Sequence, residues 1–140
     1  MVQTCSACGR DNRIPAARLD ARARCAACKN PILPLDAPVS VGSVAEFDEL
    51  LRDSPLPVVV DFWADWCGPC RAVAPELKKI ASAQAGRVVV AKVDTDALQE
   101  VAGRYAIRSI PTLVRFDRGR ETKRVSGAQS ASALAAALSI

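Results

Sequence analysis

Histidine is absent from the 140 residues. Its absence removes Ser–His and Cys–His nucleophile pairs and every metal site built on imidazole. Long hydrophobic runs are missing too: no stretch approaches the roughly 18 to 20 consecutive apolar residues of a membrane-spanning helix. The first residues, Met1-Val2-Gln3-Thr4-Cys5, have neither the basic start nor the apolar stretch of a secretory signal. A cytoplasmic location with no membrane partner is therefore expected, unless a leader has been trimmed away. Residues 1–34 lack aromatic side chains and hold few large apolar ones, namely Ile14, Leu19, Ile32 and Leu33. So little apolar surface cannot offset the entropy of ordering that segment, which needs a staple or stays disordered.

What the chain does have is cysteine in a pattern. All six cysteines fall into Cys-x-x-Cys pairs: Cys5/Cys8, Cys25/Cys28 and Cys67/Cys70. In a reducing compartment such pairs read as metal ligands or catalytic dithiols before structural disulfides. Charge is uneven as well. Residues 1–34 carry six basic side chains against Asp11 and Asp20, whereas from residue 35 onward 13 basic residues meet 13 acidic ones.

Organisation follows from turn residues and periodicity. Pro31-Ile32-Leu33-Pro34-Leu35-Asp36-Ala37-Pro38 reads as a stiff, extended linker. The boundary is placed near residue 36, giving a segment 1–35 and a domain 36–140. Strand and helix signals then alternate. Val39–Val41 is a short strand, and Ser43 with Glu46 opens a helix to about Asp53. Pro57–Trp63 is a β-branched and aromatic run suited to a strand buried on both faces. A helix follows from about Cys67 to Ala85, with a kink expected at Pro75. Arg87–Val93 is a second buried strand, Ala97–Tyr105 a short helix, Thr112–Phe116 and Thr122–Val125 a hairpin, and Ala131–Leu138 a closing helix. The order predicts an α/β fold with a mixed central sheet and helices on both faces.

Cys67 sits where a buried strand gives way to a helix, so the helix terminus favours its thiolate. Cys70 lies one turn on, within reach of a disulfide. Pro69 fits the first helical turn, and Gly68 offers no side chain to obstruct an approaching disulfide. A bare Cys-x-x-Cys could still be half a metal site. The frame is more specific. Val60-Asp61-Phe62-Trp63-Ala64-Asp65-Trp66-Cys67-Gly68-Pro69-Cys70 resembles the active-site strand and helix of the thioredoxin family. The pattern continues with Pro75, Lys92, Ile107-Arg108-Ser109-Ile110-Pro111-Thr112, Gly119 and Gly127, over about residues 39–140.

That resemblance implies a thioredoxin fold and a set of roles. Cys67 would attack a substrate disulfide and Cys70 would resolve the mixed disulfide. Asp61 would be the general base for Cys70, its carboxyl raised by burial. Lys92 is a candidate partner for Asp61, with snorkelling to solvent an equal alternative. Pro111 would follow a cis bond, and the Ile110 backbone would pair with an extended substrate. Trp66, Pro69, Gly127 and Ala128 would line a shallow contact surface, while Trp63 serves core packing. Electrons would come from NADPH through thioredoxin reductase, with disulfide-bearing proteins as substrates, no bound organic cofactor, and a monomeric chain. An exported oxidase or isomerase is the neighbouring alternative.

Cys5-x-x-Cys8 and Cys25-x-x-Cys28 are separated by residues 9–24, a spacing that fits a four-cysteine zinc ribbon with a closed, structural Zn2+ site. An iron–sulfur centre and reversible disulfides are the alternatives. Gly9 and Lys29-Asn30 suit the turns of zinc knuckles. The whole chain is similar to the zinc-binding thioredoxin 2 type of bacteria. A redox-sensing role for the ribbon thiols is open. Nucleic acid is not expected as a partner, because no aromatic side chain in residues 1–34 can stack on bases.

Overall fold

The computed structural model describes residues 1–140. Its first part is a pair of antiparallel hairpins of one design. β1 (Val2–Thr4) pairs with β2 (Asp11–Arg13), and β3 (Ala23–Arg24) pairs with β4 (Pro31–Leu33). Each turn carries one Cys-x-x-Cys pair and closes in the same way. The Cys5 N–H donates to Arg10 O and Gly9 N–H to Cys5 O; Cys25 N–H donates to Asn30 O and Lys29 N–H to Cys25 O. So tight a turn throws the residue after the second cysteine into the left-handed region, with φ 78° at Gly9 and 67° at Lys29. Glycine adopts that conformation freely, while a residue with a Cβ does so at a cost of roughly 1 to 2 kcal/mol.

The linker expected at Pro31–Pro38 requires correction. Its first three residues are β4, and Leu33 and Leu35 within it are buried. Together with Ile14, Ala16 and Leu19 they join one continuous apolar cluster with Phe47, Leu50 and Leu51 of the larger domain. The prolines suggested a spacer, but the leucines between them need burial, and the neighbouring domain provides it. For the same reason the segment is less dependent on a metal staple than its own composition implies.

The remaining strands form one five-stranded sheet: β5 (Val39–Ser40), β6 (Val58–Trp63), β7 (Val89–Asp94), β8 (Thr112–Asp117) and β9 (Arg120–Ser126), in the order β5-β7-β6-β8-β9. β5, β7 and β6 run parallel, while β8 is antiparallel to β6 and β9 to β8. Central β6 is covered on both faces, which explains its unbroken apolar run. Val58, Val60 and Phe62 face α1 (Val44–Asp53) and α3 (Gln99–Arg104). Val59 faces α2 (Gly68–Ala83) and α4 (Ala131–Leu138). Strand alternation therefore puts Asp61 on the α2 side. The hairpins dock on the α1 side.

Local signals set the helix ends. Ser43 Oγ accepts from Glu46 N–H at 3.1 Å, and Ser130 Oγ from Ala133 N–H at 3.2 Å. Helix α2 continues through Pro75 without ending there. Helix α3 starts two residues later than expected because Asp94 Oδ1 accepts the N–H groups of Asp96 and Ala97, holding that stretch as a turn.

Candidate active site and four-sulfur cluster

Cys67 is the N-cap of α2, with extended backbone (φ −89°, ψ 109°), and its Sγ accepts from Cys70 N–H at 3.2 Å. The helix terminus thus already presents a donor to the sulfur expected to carry negative charge. Cys67 and Cys70 form a disulfide with Cα atoms 5.3 Å apart. Both residues are buried, at 4% and 5% exposure. Around them Trp66, Gly68 and Pro69 are exposed, and a Cβ placed on Gly68 would meet nothing within 4 Å. Gly68 thus lies at the surface beside the buried sulfurs.

Trp66 is 71% exposed yet held in place, since its Nε1–H donates to Asp96 Oδ2 at 3.0 Å. Opposite the dithiol runs Ser109-Ile110-Pro111, with a cis bond between Ile110 and Pro111. The Ile110 carbonyl oxygen lies 3.7 Å from Cys67 Sγ. Gly127, at φ 95°, donates its N–H to Pro111 O at 2.9 Å. Thr112 Oγ1 donates to Ser109 O at 2.6 Å and shares a hydrogen bond with Ser126 Oγ. These contacts fix the loop, and the Ile110 N–H is left without an intramolecular partner.

Asp61 is 1% exposed and its Oδ1 has no hydrogen-bond partner. Burial raises its carboxyl from 3.8 to about 7, with the positive charge of Lys92 pulling the other way. Lys92 stands beside Asp61 in register on β7. It does not form an ion pair with it. Its ammonium instead lies 4.6 Å from the centre of the Trp63 ring, a cation–π contact, so the expected direct partnership reduces to an electrostatic influence. Trp63 itself is half-buried.

The other four cysteines converge. Their Sγ atoms all lie within 4.8 Å of one another, with 3.6 Å from Cys5 to Cys28 and 3.6 Å from Cys8 to Cys25. A tetrahedron with Zn–S bonds of about 2.3 Å has sulfur–sulfur edges of about 3.8 Å, so the spacing fits that ion. Four cysteine ligands would fill the coordination of a tetrahedral ion and leave no position for a substrate. Backbone N–H of Cys28, then the Asn12 side chain, hold the Cys25 thiol down to about 6. Asn12 is buried: its Nδ2 donates to Arg10 O at 3.1 Å and to Cys25 Sγ at 3.5 Å, while its Oδ1 accepts from Ala26 N–H at 3.0 Å. One amide thereby ties the two hairpins at the sulfur cluster.

Sequence reasoning missed Asn12 and Asp96. Their partners stand up to 14 and 30 residues away, and nothing in local spacing marks them.

Comparison with known proteins follows the same division. The thioredoxin family model matches residues 38–139, and the model described as thioredoxin 2, N-terminal, matches residues 4–30. Thioredoxin C-3 of Corynebacterium nephridii is 39% identical over 128 residues, covering 91% of this chain and 86% of that protein. The bifunctional thioredoxin reductase/thioredoxin of Mycobacterium leprae is 45% identical over 96 residues, 69% of this chain and 21% of that longer protein. Among solved structures, Plasmodium falciparum thioredoxin superposes with a TM-score of 0.67 at 35% identity, over 72% of this chain and 96% of that one. With a strand–dithiol–helix of this geometry inside a matching fold, the chain belongs to the thioredoxin family, as a thiol–disulfide oxidoreductase preceded by a segment of the thioredoxin 2 zinc-ribbon family.

Proposed function

We propose that the chain is a cytoplasmic, monomeric protein-disulfide reductase whose dithiol is recharged by a flavin-dependent thioredoxin reductase drawing on NADPH. The observation that carries this reading is Asp61, a buried and unpartnered carboxylate on the α2 face behind the Cys67/Cys70 pair. A group so placed costs stability and serves best as a proton acceptor near neutral pH. In the reduced protein the Cys67 thiolate attacks one sulfur of a substrate disulfide, and the other substrate sulfur leaves as a thiolate that takes a proton. Asp61 then accepts the Cys70 proton, and the Cys70 thiolate attacks Cys67 Sγ. This releases the second substrate thiol and leaves the Cys67–Cys70 disulfide.

The unpaired Ile110 N–H and its carbonyl beside Cys67 suit an extended substrate segment, positioned by Pro111. Trp66, Gly68, Pro69 and Gly127 form the exposed rim against which that segment would rest. The Mycobacterium leprae relative, named for both reductase and thioredoxin, supports the choice of electron donor.

Residues 1–35 are assigned as the ribbon and residues 36–140 as the catalytic domain. Cys5, Cys8, Cys25 and Cys28 would hold Zn2+, which when bound supplies folding free energy to the hairpins. Cys8 and Cys28 are exposed, which favours a second, redox-sensing role for that cluster. Zinc that stays bound under peroxide while Cys67/Cys70 cycles would exclude it. Insulin reduction with thioredoxin reductase and NADPH tests the main reading. Turnover is expected, with loss of activity in Cys67→Ser; no turnover, or full activity in that variant, overturns it.

A further inference from the structure

The hairpins contain a concave site that the dithiol chemistry does not use. A cavity of about 380 Å³ lies between them, lined by Arg10, Arg13, Arg18, Arg22 and Arg24. These are five of the six basic residues in the first 34. None of them is ion-paired. Asp11, the one acidic residue of the lining, is engaged by the Thr4 hydroxyl at 2.6 Å. Elsewhere Arg52, Arg104, Arg115 and Arg124 each pair with a carboxylate, while Arg71, Arg87, Arg108, Arg118 and Arg120 stand unpaired but are not gathered at one cavity.

Five exposed arginines border one small cavity, and their like charges disfavour one another there. An anion bound among them relieves that repulsion. Simple carboxylates carry too little charge to match, whereas a diphosphate brings roughly three negative charges. The planar fork of arginine grips phosphate oxygens in pairs. Ile14, Ile32 and Leu33 give part of the wall an apolar character, and the volume lies within the range of small-ligand sites. The sequence shows only scattered arginines; the two hairpins bring them to one place.

We propose that this cleft binds a phosphate-bearing anion of about nucleotide size, either a free polyphosphate or a nucleoside phosphate. The site is separate from the proposed reductase chemistry, so either reading can fail alone.

The experiment is calorimetric titration of the full chain, as purified, with inorganic pyrophosphate and separately with ADP. Arg18→Gln and Arg22→Gln remove lining charges, and Arg52→Gln removes one elsewhere. One saturable site per chain is expected, weakened about tenfold by each cleft variant and by less than about twofold in Arg52→Gln. Affinity should fall as salt is raised. ADP binding more than about tenfold tighter than pyrophosphate identifies a nucleoside phosphate, and equal affinities identify the phosphate chain itself. The proposal is overturned if neither ligand saturates by about 5 mM. It is also overturned if Arg52→Gln weakens binding as much as the cleft variants, or if a glutamate-rich peptide binds tighter than both phosphates.

Discussion

In the proposed mechanism Asp61 links stability and activity through one proton. Its carboxyl titrates near 7 in the folded chain against 3.8 for the free group. Between those values the folded chain holds a proton that the unfolded chain has released. Its contribution to stability is therefore full below about pH 4 and is lost as pH rises through about 7. The difference amounts to at most about 4 kcal/mol. Asp61→Asn should accordingly raise the urea midpoint at pH 8 and leave it nearly unchanged at pH 4. The same substitution should slow insulin reduction by roughly 10- to 100-fold and abolish the rise in rate near pH 7. An equal midpoint shift at both pH values would contradict the assignment. The placement of Cys67, Cys70 and Asp61 on a strand and helix start was legible in the sequence because their frame is local: a buried strand, a tryptophan and a Gly-Pro turn within eleven residues, 60–70. Lys92 was legible only in register. Which neighbour a long, flexible ammonium chooses is decided by tertiary surroundings, and here the Trp63 ring receives it.

At the level of elements, the two knuckles allow a comparison within one molecule. They share the same pair of backbone hydrogen bonds and the same left-handed position, filled by Gly9 in one and Lys29 in the other. Relief of the Cβ clash in Lys29→Gly should stabilise the folded chain by about 0.5 to 1 kcal/mol, less a little for the exposed Lys29 Nζ bond to Ala26 O. Gly9→Ala should destabilise it by about 1 kcal/mol. Denaturant unfolding of both variants at constant metal load checks the pair; shifts of the same sign would refute the shared geometry. Strands and helices of the larger domain were legible because alternation, N-cap serines and β-branched runs all act locally. The hairpins were not. With strands of two or three residues they carry no periodicity, and their pairing depends on turns that the cysteines organise. The proline-rich stretch misled for a related reason: Leu33 and Leu35 are buried in a cluster built largely by residues that follow them in the chain.

On the scale of the whole molecule, the ribbon and the larger domain share an apolar core. Ile14, Leu19, Leu33 and Leu35 pack in the same cluster as Phe47, Leu50 and Leu51. Glu49 on α1 adds a polar tie, accepting from Ala16 N–H at 3.0 Å and lying 3.6 Å from the Met1 amine. Unfolding the hairpins would uncover the outer face of α1, so the two parts should unfold together. Removing the metal with a chelator is then expected to lower a single calorimetric transition for the entire chain, by roughly 2 to 8 °C for each kcal/mol of stability lost. Glu49→Ala should cost about 1 kcal/mol, as expected for a backbone N–H left without its acceptor, and so lower the temperature of the same transition. Two resolved transitions, with the dithiol domain unmoved by the chelator, would mean that the ribbon stands alone. A joint shift would instead make metal loss in the ribbon a destabilisation of the dithiol domain, through the leucines that both parts bury.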